Sequence, residues 1–301
     1  KLVLRRVIGP DEFHEHVDNN AFTNRMAQWH LVQAARIHDD LAQQNPEALA
    51  KLARRIGLSP DEAAQWRAAA GRILIPFDTD RGLIEQFEGY FTLRDVPVTE
   101  WDGNDMPCYP AGYNHFNAGE TTLLKQPDVV MLMYVLPDEF SDAAKRLNYA
   151  HYEPRTLHKS SLSPAVHSIM GIEVGDRARA LQYFRRSALV DLVDNQGNTQ
   201  DGMHIASAGG TWQALVFGFG GFRVRNGQIS FRPWLPPGWN AVQFCLRWQG
   251  SRIVVRIGQQ EASFLLDPGP IARLTISLAG QDIHLEAGRV VTAPLCPETA
   301  A

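Results

Sequence analysis

The spacing of apolar residues changes once along the chain, at Gly220-Gly221, and this change constrains the fold more than any other feature. Ahead of it, Phe22, Met26, Trp29, Val32, Ala35, Ile37 and Leu41 recur close to the helical period. Behind it, Ile229-Ser230-Phe231-Arg232, the run 242–248 and Ile253-Val254-Val255-Arg256-Ile257 alternate or carry β-branched residues, and Asn226-Gly227, Pro236-Pro237-Gly238, Gln249-Gly250, Pro268-Gly269 and Ala279-Gly280 punctuate them. A helix buries one stripe of side chains and a strand buries every second one, so one segment cannot satisfy both patterns. The fold class is therefore mainly α, then β: a helical part over residues 1–220, followed by a small antiparallel β-sandwich domain over 221–301.

Eight helices are expected. The first spans about 21–43 and the second 46–56, ended by Gly57. In the third, 59–73, Ser59 caps, Pro60 fits the first turn and Glu62 completes a capping box. Five more follow at roughly 125–136, 138–149, 164–173, 176–193 and 203–218. Residues 77–117 are rich in Gly, Pro, Asp and aromatics without a period, and read as long loops of the kind that carry specificity.

Composition excludes several classes. Hydrophobic and charged fractions of 45% and 21% are those of a soluble globular chain. A net charge of −4 and a pI near 6.2 leave no footprint for nucleic acid or an anionic membrane. No apolar run reaches the ~20 residues of a membrane span. Cys108, Cys245 and Cys296 are odd in number and far apart, which indicates neither a disulfide framework nor a zinc site and fits a cytoplasmic location. The chain opens at Lys1 without methionine or signal peptide and reads as a fragment.

The chemistry concentrates in a few strings. Gly9-Pro10 is followed by three carboxylates and two histidines between Asp11 and His16, and crowding of this kind can keep one carboxyl protonated. Metal binding by His14, Glu15, His16 and Asp18 is the rival use, with the two histidines alternating as on a strand, but no third His or Cys stands nearby. Lys159-Ser160-Ser161-Leu162-Ser163-Pro164 reads as an anion site ahead of a helix, with Ser163 as N-cap and Pro164 at the first helical position. Lys125-Gln126 precedes an apolar helix, where a lysine opposes the macrodipole and needs a compensating partner. His204 sits in Asp201-Gly202-Met203-His204, ahead of Ala206-Ser207-Ala208-Gly209-Gly210, whose glycines permit close backbone approach. Trp212, Trp234 and Trp239 read as filling for cores and the domain seam.

These strings, with residues 121–134, 155–163 and 201–212 in that order, resemble glycoside hydrolase family 65, the inverting disaccharide phosphorylases acting on maltose, kojibiose, nigerose and trehalose. The resemblance runs through nearly the whole chain and corresponds to the C-terminal half of family members. It implies part of an (α/α)6 barrel catalytic domain, with the first half of the barrel and a Trp-Asp segment lining the sugar subsite absent, and a C-terminal sandwich. It implies Glu12 as general acid, with Asp11 and Glu15 keeping its carboxyl protonated; the alternative makes one of those two the acid. It implies Lys125 and Gln126 on the glucosyl hydroxyls, and Ser160, Ser161 and His204 on phosphate. Lys159 adds a positive charge where relatives often have a small or acidic residue, and its direction stays open. No cofactor and no metal are implied, inorganic phosphate being a co-substrate alongside a disaccharide. A homodimer, or association with the absent N-terminal half, is expected. Two alternatives stand beside phosphorolysis: an inverting hydrolase with Glu153 as base, and an inactive or carbohydrate-binding fragment.

Overall fold

The computed structural model describes residues 1–103 and 105–295, so Cys296 lies outside the described residues. The chain forms two compact units, Lys1–Ser160 and Ser161–Ala301. Eight α-helices lie among the described residues, as the periodicity predicts, with their ends adjusted by local chemistry.

In the first unit, α1 (Ala21–Gln44) starts where the Asn20 side chain accepts from the Thr23 N–H at 2.8 Å. Asn45 caps α2 (Pro46–Ile56) in the same way, and Gly57, at φ +70°, closes it. The third helix, α3, is shorter than the expected 59–73, spanning Glu62–Ala70. Glu62 does reach back to the Ser59 N–H at 3.1 Å, but Ser59 stands outside the helix and Asp61 occupies the N-cap without a side-chain bond. A two-residue antiparallel pair, β1 (Phe77–Asp78) with β2 (Leu83–Ile84), interrupts the long loops. The helix expected from Lys125 begins only at Val129, as α4 (Val129–Val135). Pro127 disfavours helical backbone at Gln126, and residues 124–125 are engaged elsewhere: Leu124 N–H donates to the Arg155 carbonyl at 2.8 Å, and Leu157 N–H to the Leu124 carbonyl at 2.7 Å. After a short turn at Pro137–Glu139, Ser141 caps α5 (Asp142–Tyr152), accepting from the Ala144 N–H at 3.2 Å.

The second unit holds α6 (Ser163–Val174), α7 (Arg177–Leu189) and α8 (Ile205–Gln213), the last running into one π-helical turn, Ala214–Phe219. Gly210 permits close packing, since a Cβ there would lie 2.9 Å from the Ala165 Cβ, whereas a Cβ on Gly209 would meet only open space. The strands are β3 (Phe222–Arg225), β4 (Gln228–Phe231), β5 (Ala241–Trp248), β6 (Ser251–Gly258), β7 (Glu261–Leu266), β8 (Arg273–Leu278), β9 (Gln281–Glu286) and β10 (Val290–Pro294). They make two four-stranded sheets, ordered β10-β7-β6-β5 and β3-β4-β8-β9. Alternation decides the packing: Val242, Phe244 and Leu246 of β5 and Ile253, Val255 and Ile257 of β6 point into one core with Phe231, Phe264, Ile276 and Leu278. The sheets are antiparallel except where β4 pairs parallel with β8. The chain leaves β4, builds β5 to β7 in the other sheet and returns, and a connection of that length can bring the strand back in either direction. Helical residues Ile172, Leu181, Phe184, Val216 and Phe219 pack into the same core, which makes α6–α8 and the sandwich one compact unit. Trp234 and Trp239 join it, with the Trp239 ring 4.8 Å from Phe219, while Trp212 is about half exposed. No helix among the described residues is long and apolar enough to cross a membrane.

Candidate active site

Mutual N–H···O=C bonds between Val7 and Val17, at 2.9 and 3.0 Å, pinch residues 8–16 into a loop. Asp11 is the buried hub of that loop, only 1% exposed. One carboxylate oxygen accepts from the Lys125 N–H at 2.8 Å and, more weakly, from the Phe13 N–H at 3.4 Å. The other accepts from Gln86 Nε2 at 3.1 Å and faces His14 Nδ1 at 2.6 Å. The second His14 nitrogen, Nε2, meets the Thr121 carbonyl at 2.9 Å. Both neighbours of the ring are acceptors, so the imidazole satisfies them best as a double donor. Burial works against its charge, but the hydrogen bond and charge of Asp11, with the Thr121 carbonyl, outweigh burial and raise the His14 pKa above 6.5.

Glu12 turns the other way, its side chain half exposed and ion-paired with Lys125 Nζ. That pair supplies the partner Lys125 was expected to need, although Lys125 lies four residues ahead of α4 rather than in it. Gln126 donates through Nε2 to the Pro10 carbonyl. The structure thus brings Glu12, Lys125 and Gln126 together. It does not let Asp11 crowd Glu12: the Asp11 carboxylate is committed inward, and Glu15 is exposed. Nor do His14 and His16 alternate on a strand. His14 packs against Phe87 and Tyr90, at ring distances of 5.0 and 5.8 Å, while His16 takes a left-handed φ of 58° in solvent.

Behind this loop lies Asp128, 1% exposed. Its carboxylate accepts from Asn20 Nδ2 at 3.0 Å. Burial, with the charge of Asp11 adding to it, pushes its pKa up to about 7 despite the Asn20 donor. Gly9 allows the approach, since a Cβ there would lie 2.1 Å from Asp128 Oδ2. Sequence reasoning missed Asp128, Gln86 and Asn20, which stand 75 and more residues from Asp11 or act through helix caps that mark no chemistry.

The 156–160 segment runs beside 124–125, with Lys159 N–H donating to the Lys125 carbonyl at 3.0 Å. This places Ser160 just beyond a residue tied to Lys125. The Lys159 ammonium sits over the Tyr109 ring, 5.5 Å from its centre, and burial lowers its pKa. Glu153 is buried in the short helix Glu153–Arg155. In the second unit, Ser161 lies in the turn before α6. Ser163 is the first residue of that helix rather than its N-cap; Leu162 holds the cap position and offers no side-chain bond. His204 occupies the N-cap position of α8. Its N–H and Nδ1 both bond Asp191, at 2.8 and 2.6 Å, which orients the ring with Nε2 as the remaining nitrogen. The His204 hydrogen bond in turn lowers the Asp191 pKa. Asp191 was also invisible in the sequence, being 13 residues from its partner across a loop.

Known proteins match this architecture. Residues 1–213 match the glycosyl hydrolase family 65 central catalytic domain, and residues 222–285 the family's C-terminal domain. A protein named kojibiose phosphorylase from Caldanaerobacter subterraneus subsp. tengcongensis is 48% identical over 86% of this chain and 34% of its own length. An alpha,alpha-trehalose phosphorylase from Thermoanaerobacter brockii is 35% identical over 96% of this chain and 37% of its own. The chain therefore spans about a third of the length of the curated relatives it matches. A solved structure bearing the description "Putative kojibiose phosphorylase from human microbiome" superposes with a TM-score of 0.86 at 28% identity, covering 100% of this chain and 43% of that one.

Proposed function

We propose that this chain, which belongs to glycosyl hydrolase family 65, supplies the proton donor and phosphate ligands of an enzyme that phosphorolyses an α-glucosyl disaccharide with inversion. The observation that carries the reading is that Glu12, half exposed, stands beside Lys125 on a loop anchored from beneath through Asp11 and His14. An oxygen of phosphate forms a bond to the anomeric carbon as the glycosidic C–O bond breaks on the opposite face. The Glu12 carboxyl gives its proton to the leaving oxygen. The products are β-glucose 1-phosphate and a free sugar.

Lys125 and the amide oxygen of Gln126 are proposed to meet hydroxyls of the glucosyl unit. Ser160 and Ser161 are proposed as phosphate donors on the strength of their motif, with His204 Nε2 as a further one, held in orientation by Asp191. The reaction as written needs no cofactor. The helical part is read as a portion of an (α/α)6 barrel, and a catalytic-to-C-terminal boundary near Gly220 is supported by the two family matches, which leave residues 214–221 between them.

The test is phosphate dependence. The full-length protein, offered kojibiose, trehalose, maltose and nigerose in turn, should consume one of them only when inorganic phosphate is present and release β-glucose 1-phosphate. Glucose release at the same rate without phosphate would replace this reading with hydrolysis.

A further inference from the structure

The segment just ahead of Glu12 is held at the Pro10 carbonyl and at the Asp11 side chain. Pro10 O accepts from Gln126 Nε2. The Asp11 carboxylate gathers donors from four places: the Phe13 N–H on its own loop, His14, Gln86 from the loop after β2, and the backbone N–H of Lys125 at 2.8 Å. The last bond is the informative one. It ties the backbone that carries Glu12 to the backbone that carries Lys125, the two side chains that face each other at the surface above.

We propose that Asp11 is a positioning residue, fixing the peptide of Glu12 against the peptide of Lys125 so that the acid meets the glycosidic oxygen while Lys125 meets the sugar. The proposal rests on the reading of Glu12 as the general acid. Asp11 itself is turned inward and touches no substrate. Its geometry explains why a buried anion is kept here. A carboxylate accepts from several donors at once, and a neutral side chain of the same size accepts from fewer while presenting an N–H where His14, Gln86 or Lys125 also donates. Asp11→Asn would therefore leave a donor facing a donor and let the two peptides part. A misplacement of about 1 Å at a reacting group lowers turnover on the order of 10²-fold.

The experiment compares two substrates of the full-length protein with saturating phosphate. The disaccharide needs a proton on its leaving oxygen. α-Glucosyl fluoride does not, because fluoride leaves as the anion while the phosphate oxygen bonds to the same carbon. Glu12→Gln should lose about 10²-fold or more on the disaccharide and keep most of its rate on the fluoride. Asp11→Asn should show the same selective loss, about 10²-fold on kcat for the disaccharide, with the KM for phosphate little changed. Gln86→Met removes one donor to Asp11 while keeping the shape of the side chain, and should give a smaller loss of the same selectivity; it carries the test if Asp11→Asn does not fold. Loss by Asp11→Asn or Gln86→Met that is equal on both substrates, or no loss at all, overturns the proposal while leaving Glu12 in place. Near-normal disaccharide turnover by Glu12→Gln overturns the acid assignment and this proposal with it.

Discussion

Beneath Glu12 the buried groups are Asp11, His14, Gln86 and Asp128, arranged on irregular backbone and held by hydrogen bonds within the loop and between segments 75 to 114 residues apart. Between the two sheets of the second unit they are Phe231, Phe244, Val255, Phe264 and Ile276, carried on regular strands. Both regions exclude water, but they do so by different means. The sandwich core gains from every apolar surface it removes from solvent and does not depend on pH. The acid-loop cluster gains nothing from burial as such. Each of its groups is worse off without its partner, and one of them, Asp128, titrates near neutrality. A region built in this second way holds side chains in fixed directions, as catalysis requires, and is correspondingly sensitive to protonation.

The contrast breaks most visibly at Phe264. Its ring is 1% exposed and lies 5.2 Å from that of Phe231. Phe264→Ala should destabilise the second unit by about 3–5 kcal/mol through lost burial and the cavity left behind. Because no residue of that core titrates, thermal melts of the full-length protein should shift by the same amount at pH 5 and pH 8. A shift that depends on pH would show that charge reaches this core.

The second prediction concerns Asp128. Its folded pKa of about 7 lies above the ordinary 3.8, so between those values the folded chain holds a proton that the unfolded chain has lost. The stability this gives is complete below about pH 3.8 and falls as the pH rises to about 7. His14, raised above 6.5, acts in the same direction, its contribution present below 6.5 and lost as the pH passes its raised value. Asp128→Asn stays neutral throughout and keeps an acceptor for Asn20. It should be closer to the parent in stability at pH 5, and at pH 8 should gain on the parent by about 1–3 kcal/mol. An identical pH dependence in parent and variant would mean that Asp128 is already ionised when folded and that the cluster holds no extra proton.

The same contrast explains what the sequence disclosed. Alternation around residues 229–257 is a direct image of a sheet with one buried face, so the sandwich was legible, apart from the parallel β4–β8 pair, which depends on a crossover that no local pattern encodes. Helix existence was legible for all eight, but their ends were not, because Pro127 and the 124–157 ladder override the apolar period. At the site, the motif strings picked out Glu12, Lys125 and Gln126, and the structure assembles them. It also shows Gln126 donating to the loop, and Asp11 as a hub rather than a neighbouring charge. Asp128, Gln86 and Asp191 went unseen because their roles come from burial and from partners far along the chain, and neither leaves a periodic trace.

The smallest expected effect lies in the turns of the sandwich, where the regular region is governed by backbone rather than by packing. Three hairpins close through two-residue loops with positive φ at both positions: Asn226-Gly227 at 50° and 75°, Gln249-Gly250 at 47° and 86°, and Ala279-Gly280 at 49° and 87°. Such turns match the right-handed twist of the strands they join, and their first position favours Asn, whose short polar side chain tolerates the left-handed region. Alanine has no such compensation, and the left-handed region disfavours it by roughly 1–2 kcal/mol. Ala279 therefore sits in a strained position between Leu278 and Gln281, which pair across the β8–β9 hairpin. Ala279→Asn should relieve part of that strain and stabilise the protein by about 0.5–1 kcal/mol, equally at pH 5 and pH 8, with disaccharide turnover unchanged. Asn226→Ala should reverse the sign at the β3–β4 hairpin. If Ala279→Asn left the melting temperature unchanged while Asn226→Ala lowered it, hairpin strain would be a property of the β3–β4 turn alone, and regularity would not explain how the sandwich is held.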